Sequence, residues 1–294
     1  MTPRRTAKFP LRLNELGSRP AFSHTNALRD SAASAGMPKL QATAAAARAV
    51  IRPQRLLDEV HALKARVAPV QGTGLASADV RRRMADRLRR GGVSHELVLD
   101  AMASVPRHEF VDAALMTQAY EDTSLPIGHG QTISKPSVVA RMLELAFGGA
   151  NATHARSLGR VLEIGTGCGY QAAVLGLVAT HVVSVERVKP LYEKAGALLA
   201  RHRPAHLRLV YGDGMLGHPP NAPYDSIVAA AGGAAVPPAW LAQLSVGGRL
   251  VCPVLRPGTD RQVLVVVDRS EHGYTENIFD SVHFVPLKSG LAAR

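Results

Sequence analysis

Residues 160–170 read RVLEIGTGCGY. The apolar run Arg160–Ile164 suits a buried strand, and Gly165, Gly167 and Gly169 follow it in a tight turn that opens a helix at Gln171. Three glycines so close together mean that backbone must approach a partner there. A dinucleotide turn of the form GxGxxG would put its third glycine at Tyr170, so GxGxG departs from it by one residue and weakens a dehydrogenase reading. Glu163, two places before the first glycine, would face a pyrophosphate with like charge. It suits a cation instead, and S-adenosylmethionine carries an ammonium and a sulfonium. Glu186, 21 residues beyond Gly165 at the end of the next strand, is placed for the two ribose hydroxyls. Asp213, with Gly214 in YGDG after a third strand, is placed for the adenine amino group.

Outward from this turn, strands and helices alternate. The pattern predicts strands over Arg160–Ile164, His181–Val185, Leu207–Val210, Ser226–Ala229 and Leu250–Val254. Helices are expected over Gln171–Val178, Lys189–Arg201 and around Trp240–Leu244. This is α/β: a doubly wound, mostly parallel sheet with helices on both faces, Rossmann-like, preceded by a helical segment. Val263–Val267 and His283–Leu287 are expected as late antiparallel strands, because no crossover helix fits between them. Before the core, Val80, Met84 and Leu88 mark an Arg-rich helix ending at Gly91-Gly92. A second helix has Ser94 as its cap, Leu97, Val98, Ala101 and Met102 as its apolar side and Pro106 beyond its end. A third runs over Val138–Phe147, with Ser134 or Ser137 in capping range.

Composition bounds the rest. The chain has 294 residues, 46% hydrophobic and 20% charged, as in soluble globular proteins. Neither an apolar run long enough to span a membrane nor a secretory segment is read, so a cytoplasmic location is expected. Two cysteines, Cys168 and Cys252, make no disulfide framework or metal cluster and are expected as small, semi-buried residues, with no metal. The net charge of +12 is lopsided: residues 1–70 hold 12 Lys and Arg against 4 Asp and Glu, and the remainder 23 against 19. Residues 1–74, with the Ala-rich QATAAAARAV and one weak helical patch at Leu56, Leu57, Val60 and Leu63, read as a basic, low-complexity, disordered extension. An upstream extension explains it better than an organelle transit peptide. Residues 75–294 form the working domain: 75–147 a helical and substrate-loop segment, 158–294 the cofactor core and final strands. The arginines of 82–90 suit a solvated helix face, and no nucleic-acid partner is expected.

DTSLPIGHGQTIS, Asp122–Ser134, fits neither helix nor strand period. In order and at strand ends, the glycine turn, Glu163, Glu186 and Asp213 resemble the class I S-adenosylmethionine-dependent methyltransferases over about residues 158–255. AYEDTSLPIGHGQTIS at 119–134, VPRHEFV at 105–111, KPSVVARMLELA at 135–146, YDSIVAAAG at 224–232 and FVPL at 284–287 resemble one family within them, the protein-L-isoaspartate O-methyltransferases. That likeness spans about Ser77–Leu287. It implies methyl transfer from S-adenosylmethionine to the α-carboxylate of an isoaspartyl residue in a damaged protein or peptide. The ester then closes to a succinimide that opens partly to normal aspartate. The resemblance makes Ser134 the active-site serine, puts Ile127, Gly128 and Thr132 in the substrate and cofactor lid, suggests substrate pairing to backbone around Val285, and implies a monomer.

A carboxylate is already a nucleophile at pH 7, so orientation rather than a strong base is the task. One hydrogen bond from Ser134 orients it without a full positive charge. His129 is accordingly read as a loop-packing or cofactor-contacting residue rather than a base. Lys135 stands where bacterial relatives usually have glutamine, and adds attraction for an anionic peptide. The alternatives are a class I methyltransferase acting on another small-molecule or macromolecular acceptor, and a nonenzymatic binding protein with the basic tail as its working part.

Overall fold

A computed structural model describes residue 74 and residues 77–202, 206–256 and 258–292. The predicted patch at Leu56–Leu63, and the extension around it, lie outside the described residues. Helix α1, Ala78–Arg90, starts at Ser77, whose hydroxyl accepts from the Asp79 amide at 3.1 Å, and buries Met84, Ala85 and Leu88. Helix α2, Glu96–Ser104, departs from expectation at its start. Ser94 does not cap it; its amide and hydroxyl both donate to Glu144, and His95 holds the cap position without a side-chain bond. Leu97 is exposed, and Val98, Leu99, Ala101 and Met102 form the buried side.

The segment after a 3-10 turn at Arg107–Phe110 contains two short strands that the sequence did not reveal: β1, Leu125–Gly128, and β2, Gln131–Ile133, paired antiparallel. Three or four residues are too few to show a period. Leu125, Ile127 and Ile133 anchor the hairpin in the core, while Gly128, His129 and Gly130 all take positive φ at its tip. Helix α3, Pro136–Phe147, begins with proline in its first turn. Neither Ser134 nor Ser137 caps it. Lys135 sits at the cap position, and Asp122 accepts from both the amide and the hydroxyl of Ser137 at 2.8 Å.

The core follows as α4 (Ala150–Ala155), β3 (Arg160–Ile164), α5 (Tyr170–Val178), β4 (His181–Glu186), α6 (Lys189–His202), β5 (Leu207–Tyr211), β6 (Tyr224–Ala229), α7 (Pro238–Gln243), β7 (Leu244–Leu255), β8 (Gln262–Ser270) and β9 (Gly273–Val282). The sheet order is β5-β4-β3-β6-β7-β8-β9, parallel through β7 and antiparallel thereafter. Residues alternate between two cores: Val161, Val182, Val228 and Val251 join the cluster containing α1, α2, α3 and α5, and Leu162, Val183, Ile227 and Leu250 join Trp240 of α7. Burial on both faces explains the continuous apolar runs. The strand expected at His283–Leu287 is instead a non-strand segment with a single parallel bridge, Gly232 to Pro286; the last strand is β9, nearly all exposed and therefore without an apolar signature.

Candidate active site

Strand order reverses direction between β3 and β6, and in such sheets ligands bind outside the carboxyl ends of the strands at that switch point. A cavity lies there, lined by Thr132 and Ser134 of the hairpin end, Gly165, Thr166, Gly167 and Tyr170 of the glycine turn, Glu186, Gly214, Ala230 and Val285–Lys288. The three glycines have φ of +92°, +57° and +92°, a region that disfavours other residues. They divide the labour. Gly165 and Gly167 face the cavity, whereas Gly169 lies outside it, where a Cβ would stand 3.1 Å from Leu199, so it lets α5 pack on α6.

Glu186 is buried and held from both sides, one oxygen accepting from the Gly167 amide at 2.9 Å and the other from the Val188 amide at 2.8 Å. Each oxygen keeps lone-pair capacity for a hydroxyl. Glu163 is 0% exposed and stands behind the cavity wall rather than in it. Ser184 donates to its Oε2 at 2.5 Å and shares a second bond of 2.5 Å with Thr166, a cavity residue. Glu163 Oε1 and both amide atoms of Gln171 are buried and make no close hydrogen bond among the described residues. Burial pushes the Glu163 carboxyl up to about 8, against the opposing interactions of Ser184 and, after it, the Gln171 side chain. Asp213 also stands off the cavity: it accepts from the Met215 amide at 2.9 Å and the Gly290 amide at 2.6 Å, while Gly214 lines the wall and its carbonyl accepts from Trp240 Nε1.

The Ser134 hydroxyl makes no hydrogen bond among the described residues and borders the cavity, and its carbonyl accepts from Arg107 at 2.7 Å. Thr132 joins it there. Ile127 is buried beneath the hairpin, close enough that a Cβ on Gly167 would meet it at 3.2 Å, and Gly128 is exposed at the tip. His129 occupies the left-handed region at the exposed tip, with its carbonyl rather than its imidazole engaged, so it neither packs the loop nor borders the cavity. Val285 lines the cavity, but its carbonyl and the Leu287 amide are taken by Gly232, which leaves less backbone for a substrate than expected. Sequence reading missed Arg107, Thr166, Gln171 and Ser184. Ser184, a hydroxyl inside the apolar run HVVSVE, was the one visible hint.

Both cysteines are buried and free; burial raises the Cys168 thiol to about 11 and the Cys252 thiol further. Among the described residues no cluster of His, Cys, Asp and Glu could hold a metal, and no helix is long and apolar enough to cross a membrane.

The glycine turn at the switch point, with a ribose-ready carboxylate after the next strand, defines a Rossmann-like class I methyltransferase. Residues 79–292 match the family described as protein-L-isoaspartate(D-aspartate) O-methyltransferase. The chain belongs to the protein-L-isoaspartate O-methyltransferase family. It is 58% identical over 245 residues to the protein of that name from Leptothrix cholodnii, covering 82% of this chain and 84% of the relative. To that from Methylibium petroleiphilum it is 55% identical, over 82% and 89%. A solved protein-L-isoaspartate O-methyltransferase superposes with a TM-score of 0.64 at 30% identity, covering 72% of this chain and 67% of that one. A Plasmodium falciparum structure, titled as a putative family member in complex with S-adenosyl-L-homocysteine, shares the fold with a TM-score of 0.60 at 22% identity, over 71% and 98%.

Proposed function

We propose that this chain carries out its family's reaction with Ser134 as the residue that orients the acceptor. The enzyme transfers a methyl group from S-adenosylmethionine to the α-carboxylate of L-isoaspartyl residues in damaged proteins and peptides. The methyl ester then cyclises to a succinimide without the enzyme, and part of that ring opens to normal aspartate.

The residues present fit the cofactor. Glu163, with a buried oxygen that makes no close hydrogen bond among the described residues, suits a cationic aminoacyl end reached across the Thr166 and Ser184 hydroxyls. Glu186 takes the ribose hydroxyls, Gly165 and Gly167 admit the ligand to the backbone, and Asp213 with Gly214 frames the adenine side. When bound, S-adenosylmethionine supplies an electrophilic methyl on a sulfonium. The chain's own task is placement. The acceptor carboxylate is ionised at pH 7 and needs no base, and Ser134 donates one neutral hydrogen bond that fixes its direction.

The carrying observation is that the unengaged Ser134 hydroxyl and the glycine turn border one cavity. Thr132, Ile127, Gly128 and Val285 shape the acceptor's side, and exposed Lys135 and Lys288 add attraction for an anionic peptide. We assign catalysis to residues 75–294, which the family match over 79–292 supports, and propose that the chain acts as a monomer in the cytoplasm without a nucleic-acid partner.

Labelled methyl transfer to an isoaspartyl peptide and to its aspartyl twin tests the reading. The expected result is base-labile label on the isoaspartyl peptide alone, reduced about 10²-fold in kcat by Ser134→Ala. Cofactor binding with label on neither peptide would overturn the acceptor.

A further inference from the structure

Arg107 is 0% exposed, and its favourable carboxylate, Asp122, acts on it through space without forming an ion pair. Its guanidinium spends its well-formed hydrogen bonds on backbone, with a weaker interaction to the Tyr170 side chain. Nε donates to the Ala119 carbonyl at 2.7 Å, and Nη2 to the Ser134 carbonyl at 2.7 Å and, more weakly, to that of Thr123 at 3.5 Å. Nη1 is buried and makes no close hydrogen bond. The group also lies over the ring of Tyr170, 4.7 Å from its centroid, and Tyr170 is a cavity residue opening α5. A buried cation without a contacting counter-charge is costly unless its site uses it. Here one rigid, planar fork ties both ends of the hairpin segment, at Thr123 and Ser134, to the helix that follows the glycine turn.

We infer that Arg107 is the positioning residue that fixes Ser134 against the cofactor turn. The inference rests on the proposed role of Ser134, whose hydroxyl has no partner among the described residues and whose direction is therefore set by its backbone. Arg107 holds that backbone at the carbonyl. A lysine keeps the charge but cannot span Ala119 and Ser134 with two fixed donors, so the replacement loosens the hairpin without removing the cation.

The test is a double-mutant cycle on the full chain with Arg107→Lys, Ser134→Ala and both, assayed on an isoaspartyl peptide. Calorimetry with S-adenosylhomocysteine and hydrogen exchange of residues 125–134 accompany it. Arg107→Lys is expected to lower kcat about ten- to hundredfold, leave S-adenosylhomocysteine affinity within about twofold and speed exchange in the hairpin. In the Ser134→Ala background its effect on kcat is expected to shrink below about threefold. Equal losses in both backgrounds would overturn the inference while leaving Ser134 its role. A Ser134→Ala enzyme with unchanged kcat would overturn both. If neither Arg107→Lys nor Arg107→Gln binds S-adenosylhomocysteine, Arg107 determines the fold and the assignment falls.

Discussion

Glu163 is a carboxyl buried where an ionised form has the Ser184 hydroxyl, a weaker interaction with the Gln171 side chain and no counter-cation. Its value of about 8 means that the folded protein retains a proton which the unfolded chain, with an ordinary carboxyl near 4.5, has already lost. Stability conferred by this group is therefore present at low pH and declines as pH rises from about 5 toward 8, by at most about 1.4 kcal/mol per pH unit. Glu163→Gln is expected to flatten that decline in ligand-free protein and to weaken S-adenosylhomocysteine binding about tenfold at pH 8. Thermal unfolding across pH 5–8 and calorimetry check the two halves; a variant with unchanged slope and affinity would remove Glu163 from the cofactor's cationic end. The sequence exposed this residue through its place before the glycines. It concealed the depth, because nothing in LEIG says that Ser184 and Thr166 stand between the carboxyl and the cavity.

At the scale of elements, the cavity is only about 90 Å³, well short of the roughly 300–1,000 Å³ typical of small-molecule sites. One wall is the segment after β9, which returns across the ends of β4 and β5. Arg187 donates to the Gly290 carbonyl at 2.7 Å, Asp213 accepts from the Gly290 amide, and Ala292 pairs with Val188. That wall borders the space a nucleoside would occupy. Arg187→Ala, which loosens it, is expected to raise the S-adenosylhomocysteine off-rate severalfold in stopped-flow displacement, with the on-rate raised alongside; unchanged rates would show that the wall does not control entry. This return was illegible in sequence. Runs buried on both faces, such as Val161–Ile164 and Val182–Val185, announced their strands, and the glycine turn followed from them. β9 did not, because one neighbouring strand and an exposed surface leave no apolar period; FVPL drew the prediction past it. The hairpin was legible as a motif but not as strands, and Arg107 stood inside the motif VPRHEFV with no local sign of its role, since its partners lie 12 to 27 residues away.

Across the whole molecule, the sheet ends at β9, whose outer edge pairs with nothing among the described residues. Tyr274, Ile278 and Phe279 are exposed on it, interspersed with Glu276 and Asp280. Such an edge is a template for another strand unless charge keeps copies apart. The formal +12 provides that separation at low ionic strength, and most of it resides in residues 1–70. At about 1 M salt, where the Debye length falls to roughly 3 Å, reversible growth in light-scattering mass with protein concentration is expected, and Ile278→Lys should suppress it. A mass independent of salt would mean that the edge is already protected. The unpaired strand thus makes this protein's colloidal behaviour electrostatic: ionic strength and the charge of its first 70 residues, more than a sealed surface, decide how concentrated it can become before its sheets begin to join.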